Sequence, residues 1–144
     1  ARLARVNTSL PTGPDGIDRT VLLNDGNGRI EDGSARWLGK GKMPHVIEYR
    51  WNKEVELGAA RMISGRFNGA RVLNPVSDFK IQYLDGESWK DVLPAVQENE
   101  NPAWSATFEP VVTKHLRFVI TGTPHQISRV WEIEFYQPMK AEKE

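Results

Sequence analysis

Apolar and polar residues alternate along several short stretches of this chain. Ile47, Tyr49 and Trp51 fall on one side of a period-two pattern, and Glu48 and Arg50 fall on the other. Such alternation predicts a strand that is buried on one face only. The same pattern returns at 79–83, 116–120 and 131–135.

Weaker strand patterns lie between these segments. They cover 55–64, 89–93 and 104–112, and an Asp85-Gly86 pair predicts a hairpin turn. Helical spacing is not found. We therefore predict an all-β fold, an antiparallel β-sandwich or jelly roll, formed by one domain over 1–137 with a polar tail over 138–144. In the last strong strand, the pattern places Trp131, Ile133 and Phe135 on one side.

Four connecting segments are expected to emerge at the same end of the sandwich. If successive strands alternate in direction, these segments are 38–45, 65–77, 94–104 and 122–129. Amide and guanidinium groups suit sugar hydroxyls, and an indole face suits the C–H side of a pyranose ring. The segments therefore supply carbohydrate-binding candidates, namely Lys40, Lys42, Arg66, Asn68, Arg71, Asn74, Trp104 and His125.

Each candidate also has a purely structural interpretation. Lys40 and Lys42 fit a solvated turn, and Arg66 and Arg71 fit surface ion pairs with nearby carboxylates. Trp104 fits two positions, because Trp-x-x-x-Phe can also open a strand with its ring pointing inward. Both interpretations stay open at this stage.

Composition narrows the classes of partner. Lys plus Arg and Asp plus Glu both number 19, so no net charge draws the chain to nucleic acid. No cysteine is present, which excludes a disulfide framework. No apolar run is long enough to span a bilayer. Without an initiating Met or a leader, we expect a mature or excised module that is secreted, extracellular or periplasmic, and monomeric.

An ordered set of short motifs resembles the discoidin, or coagulation-factor type C, domain, and most closely family 32 carbohydrate-binding modules. The motifs are LNDG at 23–26, Trp37, VIEY at 46–49, FKIQYLDG at 79–86, Trp89, FEPV at 108–111, LRF at 116–118 and WEIEFY at 131–136. The resemblance covers nearly the whole chain. It implies a galactose-binding-like jelly roll.

The same resemblance implies a structural calcium ion, Ca2+, near the ligand end. In the family, an Asp-Gly turn and the first Glu of the closing strand help to hold the ion, and these match Asp25 and Glu132. Asn24 and Asn27 can add oxygen ligands, which calcium prefers. The chain departs from the family at Ala35, where a Thr is frequent.

Binding is favoured over catalysis. The chain has no Gly-x-Ser-x-Gly elbow and no His-Glu-x-x-His helix, and of its carboxylates only Glu98 and Glu100 fall in a predicted rim loop. We expect a carbohydrate-binding module of a larger multidomain protein, for a galactose-type or an acidic, uronic-acid-containing glycan. The alternatives are a protein- or lipid-binding discoidin module and a non-binding spacer domain.

Overall fold

Strands dominate the computed structural model, which describes residues 5–8 and 36–138. Their bounds are β1 (Arg5–Thr8), β2 (Trp37–Lys40), β3 (His45–Ser64), β4 (Arg66–Phe67), β5 (Val72–Leu73), β6 (Asp78–Asp85), β7 (Ser88–Asp91), β8 (Ala103–Gly122) and β9 (Ile127–Tyr136). Every pairing between these strands is antiparallel. Within these residues, no helix has the length and apolar character needed to cross a membrane. The predicted all-β class is confirmed.

Two strands are far longer than the sequence pattern predicts. β3 and β8 have 20 residues each, and each combines two segments that were predicted separately. Their mutual register shifts between Arg50 and Val55, and again between Leu57 and Ala59. The polar residues 52–54 are exposed at the first shift, and Pro110, which cannot donate a ladder hydrogen bond, lies near the second. The chain therefore bends at these points and continues as a strand.

These bends carry β3 and β8 through both layers of a sandwich. The first half of β3 pairs with β1 and with the second half of β8, which in turn pairs with β6. The second half of β3 pairs with the first half of β8 and with β9, and β9 pairs with β2. One layer is thus β1-β3-β8-β6-β7, and the other is β8-β3-β9-β2.

Aromatic side chains fill the space between the layers. Tyr49 meets Phe135 edge to face with ring centroids 5.0 Å apart, and Phe79 meets Trp104 in the same way at 4.8 Å. Phe79 also stacks on Phe118 at 4.7 Å. Each of the edge-to-face pairs joins one layer to the other, so the core depends on both.

The closing strand β9 departs from its predicted alternation. Ile133 and Phe135 pack in the main core as expected, but Val130 joins them there, and Trp131 packs instead with Ile63 in a separate cluster. The cause is a register shift, because Ile63 pairs with Glu132 and the next residue of β3 pairs with Val130. The prediction that Trp131 shares a side with Ile133 and Phe135 was therefore wrong, since a bulge changes the side on which a residue lies.

The Asp85-Gly86 turn is confirmed. Asp85 pairs with Ser88 at the tip of the β6–β7 hairpin, and Gly86 has a φ of 64°. A residue without a Cβ adopts this left-handed conformation without strain.

The buried hydroxyl of Tyr49 leads to a prediction about stability at alkaline pH. Burial, with a smaller contribution from Glu132, raises the pKa of Tyr49 well above 10.0. Its hydroxyl has no hydrogen-bond partner among the described residues. Above about pH 10 an unfolded tyrosine ionises while buried Tyr49 stays neutral, so the free energy of unfolding falls as the pH rises. We expect Tyr49→Phe to weaken this alkaline decline and, near pH 7, to leave the free energy of unfolding unchanged or raise it by about 1 kcal/mol.

The measurement is urea unfolding from about pH 8 to pH 11, which brackets the ordinary tyrosine pKa. Tyr136→Phe is the matched control because Tyr136 is 43% exposed. An equally steep alkaline decline in Tyr49→Phe and the wild type would contradict the prediction.

Candidate functional site

Four connecting segments meet at one end of the sandwich. The strand termini that carry them are paired: His45 with Ile120, Ile63 with Ala103, Asp78 with Gly122, and Lys40 with Ile127. We call the segments 41–44, 65–77, 92–102 and 123–126 together the loop end. The predicted convergence is therefore confirmed.

Hydrogen bonds between the segments brace the loop end. The Ser77 and Gly65 backbone N–H groups donate to Gly122 O at 3.3 Å and to Arg129 O at 2.8 Å. The side-chain amide of Asn99 donates to Val76 O at 2.9 Å, and the Val76 N–H donates to the Ser64 hydroxyl at 3.0 Å. The loops are thus held to one another as well as to the strands.

His45 fixes the segment 41–44, one of the two shortest of the four. It is fully buried, with Nδ1 2.7 Å from the Ser128 hydroxyl and Nε2 2.9 Å from Gly41 O. It therefore joins the 41–44 turn to the start of β9. His45 therefore has a structural role.

The backbone of the loop end is unusual. Among the described residues, the non-glycine positions with positive φ are Asn74 at 56°, Glu98 at 54°, His125 at 59° and Gln126 at 57°, and all lie in this region. Such conformations persist where surrounding contacts impose them, and they concentrate at binding sites.

An open groove of about 710 Å³ crosses the loop end. Three of the four segments line it, through Asn74, Pro75, Ser77, Glu98, Asn99, Glu100 and Pro124. Of the predicted carbohydrate-binding residues, Asn74 is the one that lines it directly. The groove is open, and five of its seven lining residues are polar, which suits a hydroxylated ligand held at a shallow site.

Most of the other predicted binding residues are exposed and lie within or next to the segments of the loop end. Lys40 ends β2, and Lys42 lies in the turn that follows. Arg66 and Arg71 flank the turn between β4 and β5, and His125 lies in the 3₁₀ turn Pro124–Gln126. All five side chains are exposed, so each is accessible to a ligand.

Asn68 has a structural task. Its side-chain oxygen accepts hydrogen bonds from the backbone N–H groups of Ala70 and Arg71, both at 2.9 Å. This Asx-type turn sets the path of the chain between Arg66 and Arg71. The side-chain oxygen of Asn68 therefore already accepts two backbone hydrogen bonds.

Trp104 is corrected from a binding candidate to a core residue. Its side chain is only 9% exposed and packs edge to face on Phe79. Trp104 also pairs across the ladder with buried Met62. The Trp104 ring therefore points inward, where it fills apolar space between the two layers. An exposed indole platform is not formed by Trp104.

The predicted calcium ligands fall largely outside the described residues. Asn24, Asp25 and Asn27 are in that part of the chain, whereas Glu132 is described and is 2% exposed. Residues 130–133 of β9 are all buried, so both faces of this strand are covered. In the described part, no group of three acidic or histidine side chains is arranged to hold a metal.

Two arginines that the sequence analysis did not select lie next to the loop end. Arg36 Nη1 donates to Gly65 O at 3.0 Å, and its guanidinium lies 5.3 Å from the centre of the Trp131 ring. Burial, together with the neighbouring charges of Arg129 and Arg66, lowers the pKa of Arg36. Burial and Arg66 likewise lower the pKa of Arg129. Arg36 directly precedes Trp37 in the sequence, and this local pattern does not predict that Arg36 lies close to Arg129 and Arg66.

Comparison with known proteins identifies the fold. No protein-family model matches the sequence, and no curated protein matches it. Among solved structures, a family 32 carbohydrate-binding module of Streptococcus pneumoniae EndoD has a TM-score of 0.71 at 22% identity, over 94% of this chain and 96% of that one. The family 32 module of Clostridium perfringens NanJ, solved in complex with galactose, has a TM-score of 0.70 at 14% identity, over 93% of each chain.

A pectin-binding carbohydrate-binding module is also similar, with a TM-score of 0.67 at 20% identity over 95% of this chain and 92% of that one. The chain therefore has the galactose-binding-like sandwich fold of family 32 and related carbohydrate-binding modules, as the sequence motifs implied.

The corrected position of Trp104 gives a prediction. Trp104→Leu should lower the free energy of unfolding by about 2–4 kcal/mol, because it leaves a cavity beside Phe79. Glycan affinity of the folded variant should equal that of the wild type. Urea unfolding measures the first quantity and calorimetry the second. A variant of unchanged stability that has lost glycan binding would show that the ring contacts the ligand.

Proposed function

We propose that this chain is a non-catalytic carbohydrate-binding module that binds a galactose-type or acidic glycan at its loop end. The observation that carries the proposal is the convergence of four braced segments at one end of the sandwich, where three of them line a groove and exposed basic side chains lie on or next to the segments. The similarity to carbohydrate-binding modules, one solved with galactose and one described as pectin-binding, supports it.

The character of the groove favours binding over hydrolysis. Glu98 and Glu100 line it, but both are exposed to solvent. Glycosidase acids are typically desolvated, and their partner carboxylate lies across the scissile bond. The Glu98 backbone N–H also donates to the Asp78 carboxylate at 2.8 Å, which gives this stretch a structural task.

The shallowness of the site determines the affinity that we expect. Affinity for a single site should be modest, on the order of micromolar to millimolar, and multivalency would raise it. We propose that the module acts outside the cell as part of a larger protein, where it tethers an attached enzyme or a cell surface to a polysaccharide.

Substitutions at the loop end test the function. We expect Arg66→Ala and Asn74→Gly each to weaken glycan binding about tenfold or more, because each removes a polar contact worth about 1.5 kcal/mol. Glycine is chosen at position 74 because the φ of 56° would strain alanine. Calorimetry against galactosides and galacturonate oligosaccharides measures the effect.

The matched controls are Arg50→Ala and Asn52→Gly. Both residues are exposed and lie at the bend of β3, at the opposite end of the sandwich from the groove. The controls should bind as the wild type does. Equal losses in controls and loop-end variants, or no binding of any glycan by the wild type, would count against the proposal.

We further propose that a calcium ion stabilises the module through Glu132. A carboxylate that is 2% exposed must be compensated by partners, and a bound cation is one kind of partner. The residues that fit this role with Glu132 are Asn24, Asp25 and Asn27.

Chelation tests the calcium proposal. A metal present at a hundredfold excess over its Kd stabilises by about 2.7 kcal/mol, so a chelator should lower the Tm by several degrees and added calcium should restore it. The Tm of Glu132→Gln should not respond to either treatment. A wild-type Tm that is identical with and without chelator would exclude a stabilising metal.

A further inference from the structure

Three arginines surround the backbone of Gly65. Arg36 donates through Nη1 to Gly65 O at 3.0 Å, and the Gly65 N–H donates to Arg129 O at 2.8 Å. Arg66 follows Gly65 directly and opens β4. We call Arg36, Arg66 and Arg129 the arginine cluster. It is assembled from three distant parts of the chain, and it lies where β3 enters the loop end.

The cluster is short of acceptors. None of the ion pairs found among the described residues includes Arg36, Arg66 or Arg129. Arg36 Nε and Arg129 Nη1 are buried, and neither has a hydrogen-bond partner in that part of the chain. The lowered pKa of Arg36 and of Arg129 has the same origin, namely burial and neighbouring positive charge.

Such an arrangement suits an anion. A buried N–H of a cation that lacks an acceptor costs free energy, and nearby like charges add to that cost. An anion with two or more oxygens can satisfy these donors and offset the like charges, because guanidinium groups bind carboxylate and sulfate through paired, charge-assisted hydrogen bonds. The Arg36 guanidinium also lies over the Trp131 ring, 5.3 Å from its centroid, and this cation–π contact helps to hold the side chain in place.

The β4–β5 ladder links the cluster to the groove. Arg66 pairs with Leu73 across this ladder, and Asn74, which follows Leu73, lines the groove. Arg66 is exposed, whereas Arg36 and Arg129 are partly buried. Arg66 is therefore the member of the cluster most accessible to a ligand at the loop end.

We propose that the arginine cluster binds the anionic substituent, a carboxylate or a sulfate ester, of an acidic glycan at the loop end. This inference rests on the glycan-binding function proposed above. It narrows the ligand from polysaccharides in general to those that carry negative charge, and it assigns the charge recognition to Arg36 and Arg129 in addition to Arg66.

Calorimetry with three ligands tests the proposal. These are a neutral galacto-oligosaccharide, a galacturonate oligosaccharide of the same length and a sulfated galacto-oligosaccharide. The wild type should bind one of the acidic ligands about tenfold or more tightly than the neutral one, and this preference should shrink as salt is raised from about 50 to 300 mM. The tighter of the two acidic ligands identifies the anion.

Arg129→Gln and Arg36→Gln should each bring the ratio of acidic to neutral affinity close to one. Arg36→Lys keeps the charge but loses the paired donors, so it should retain only part of the preference. Arg50→Gln is the matched control, because Arg50 is an exposed arginine outside the cluster that pairs with Glu48. It should keep the full ratio.

The outcomes separate the two proposals. Equal affinity for neutral and acidic ligands would overturn the arginine cluster as an anion site and leave glycan binding standing. A wild type that binds no glycan would overturn both. If the glutamine variants lose stability but keep the acidic preference, the arginine cluster stabilises the fold without recognising the anion, and the inference is wrong.

Discussion

The loop end depends on one constraint, which is that β3 and β8 each begin and end at it. Both strands run away from the loop end in one layer, bend at the far end and return in the other layer. Their four termini therefore emerge together, and four connecting segments share one surface. A sandwich of straight strands would distribute the same connections over both ends. The bends near Arg50 and Gly58 thus determine where any ligand can be recognised.

At the loop end, the same kinds of polar side chain are needed both to stabilise the loops and to bind a ligand. Asn99, Asn68, Ser64 and His45 all use polar atoms to hold backbone or neighbouring side chains. A buried or half-buried backbone group needs such a partner, so these residues serve the scaffold first. The groups that remain available to a ligand include the exposed cations and also Glu98 and Glu100, which line the groove, so the surface carries charges of both signs.

The net charge of the chain does not reveal the basic residues at the loop end. The 19 positive and 19 negative side chains cancel over the whole chain. At the loop end, however, Arg36, Arg66 and Arg129 are close enough for the charge of one to lower the pKa of another. Long-range steering by the whole protein is therefore weak, while positive charge is concentrated locally around Gly65.

The sequence by itself determined the strands, their facing residues in most cases and the end at which the loops emerge. These depend on local alternation, as at Ile47 and Tyr49, on turn chemistry, as at Gly86, and on a count of chain reversals. Only the tertiary structure decided that Trp104 points inward, that Trp131 lies outside the main core and that Arg36 lies close to Arg129. Those three outcomes depend on ladder register and on contacts between residues far apart in the chain, and a pattern of neighbouring residues carries no information about either.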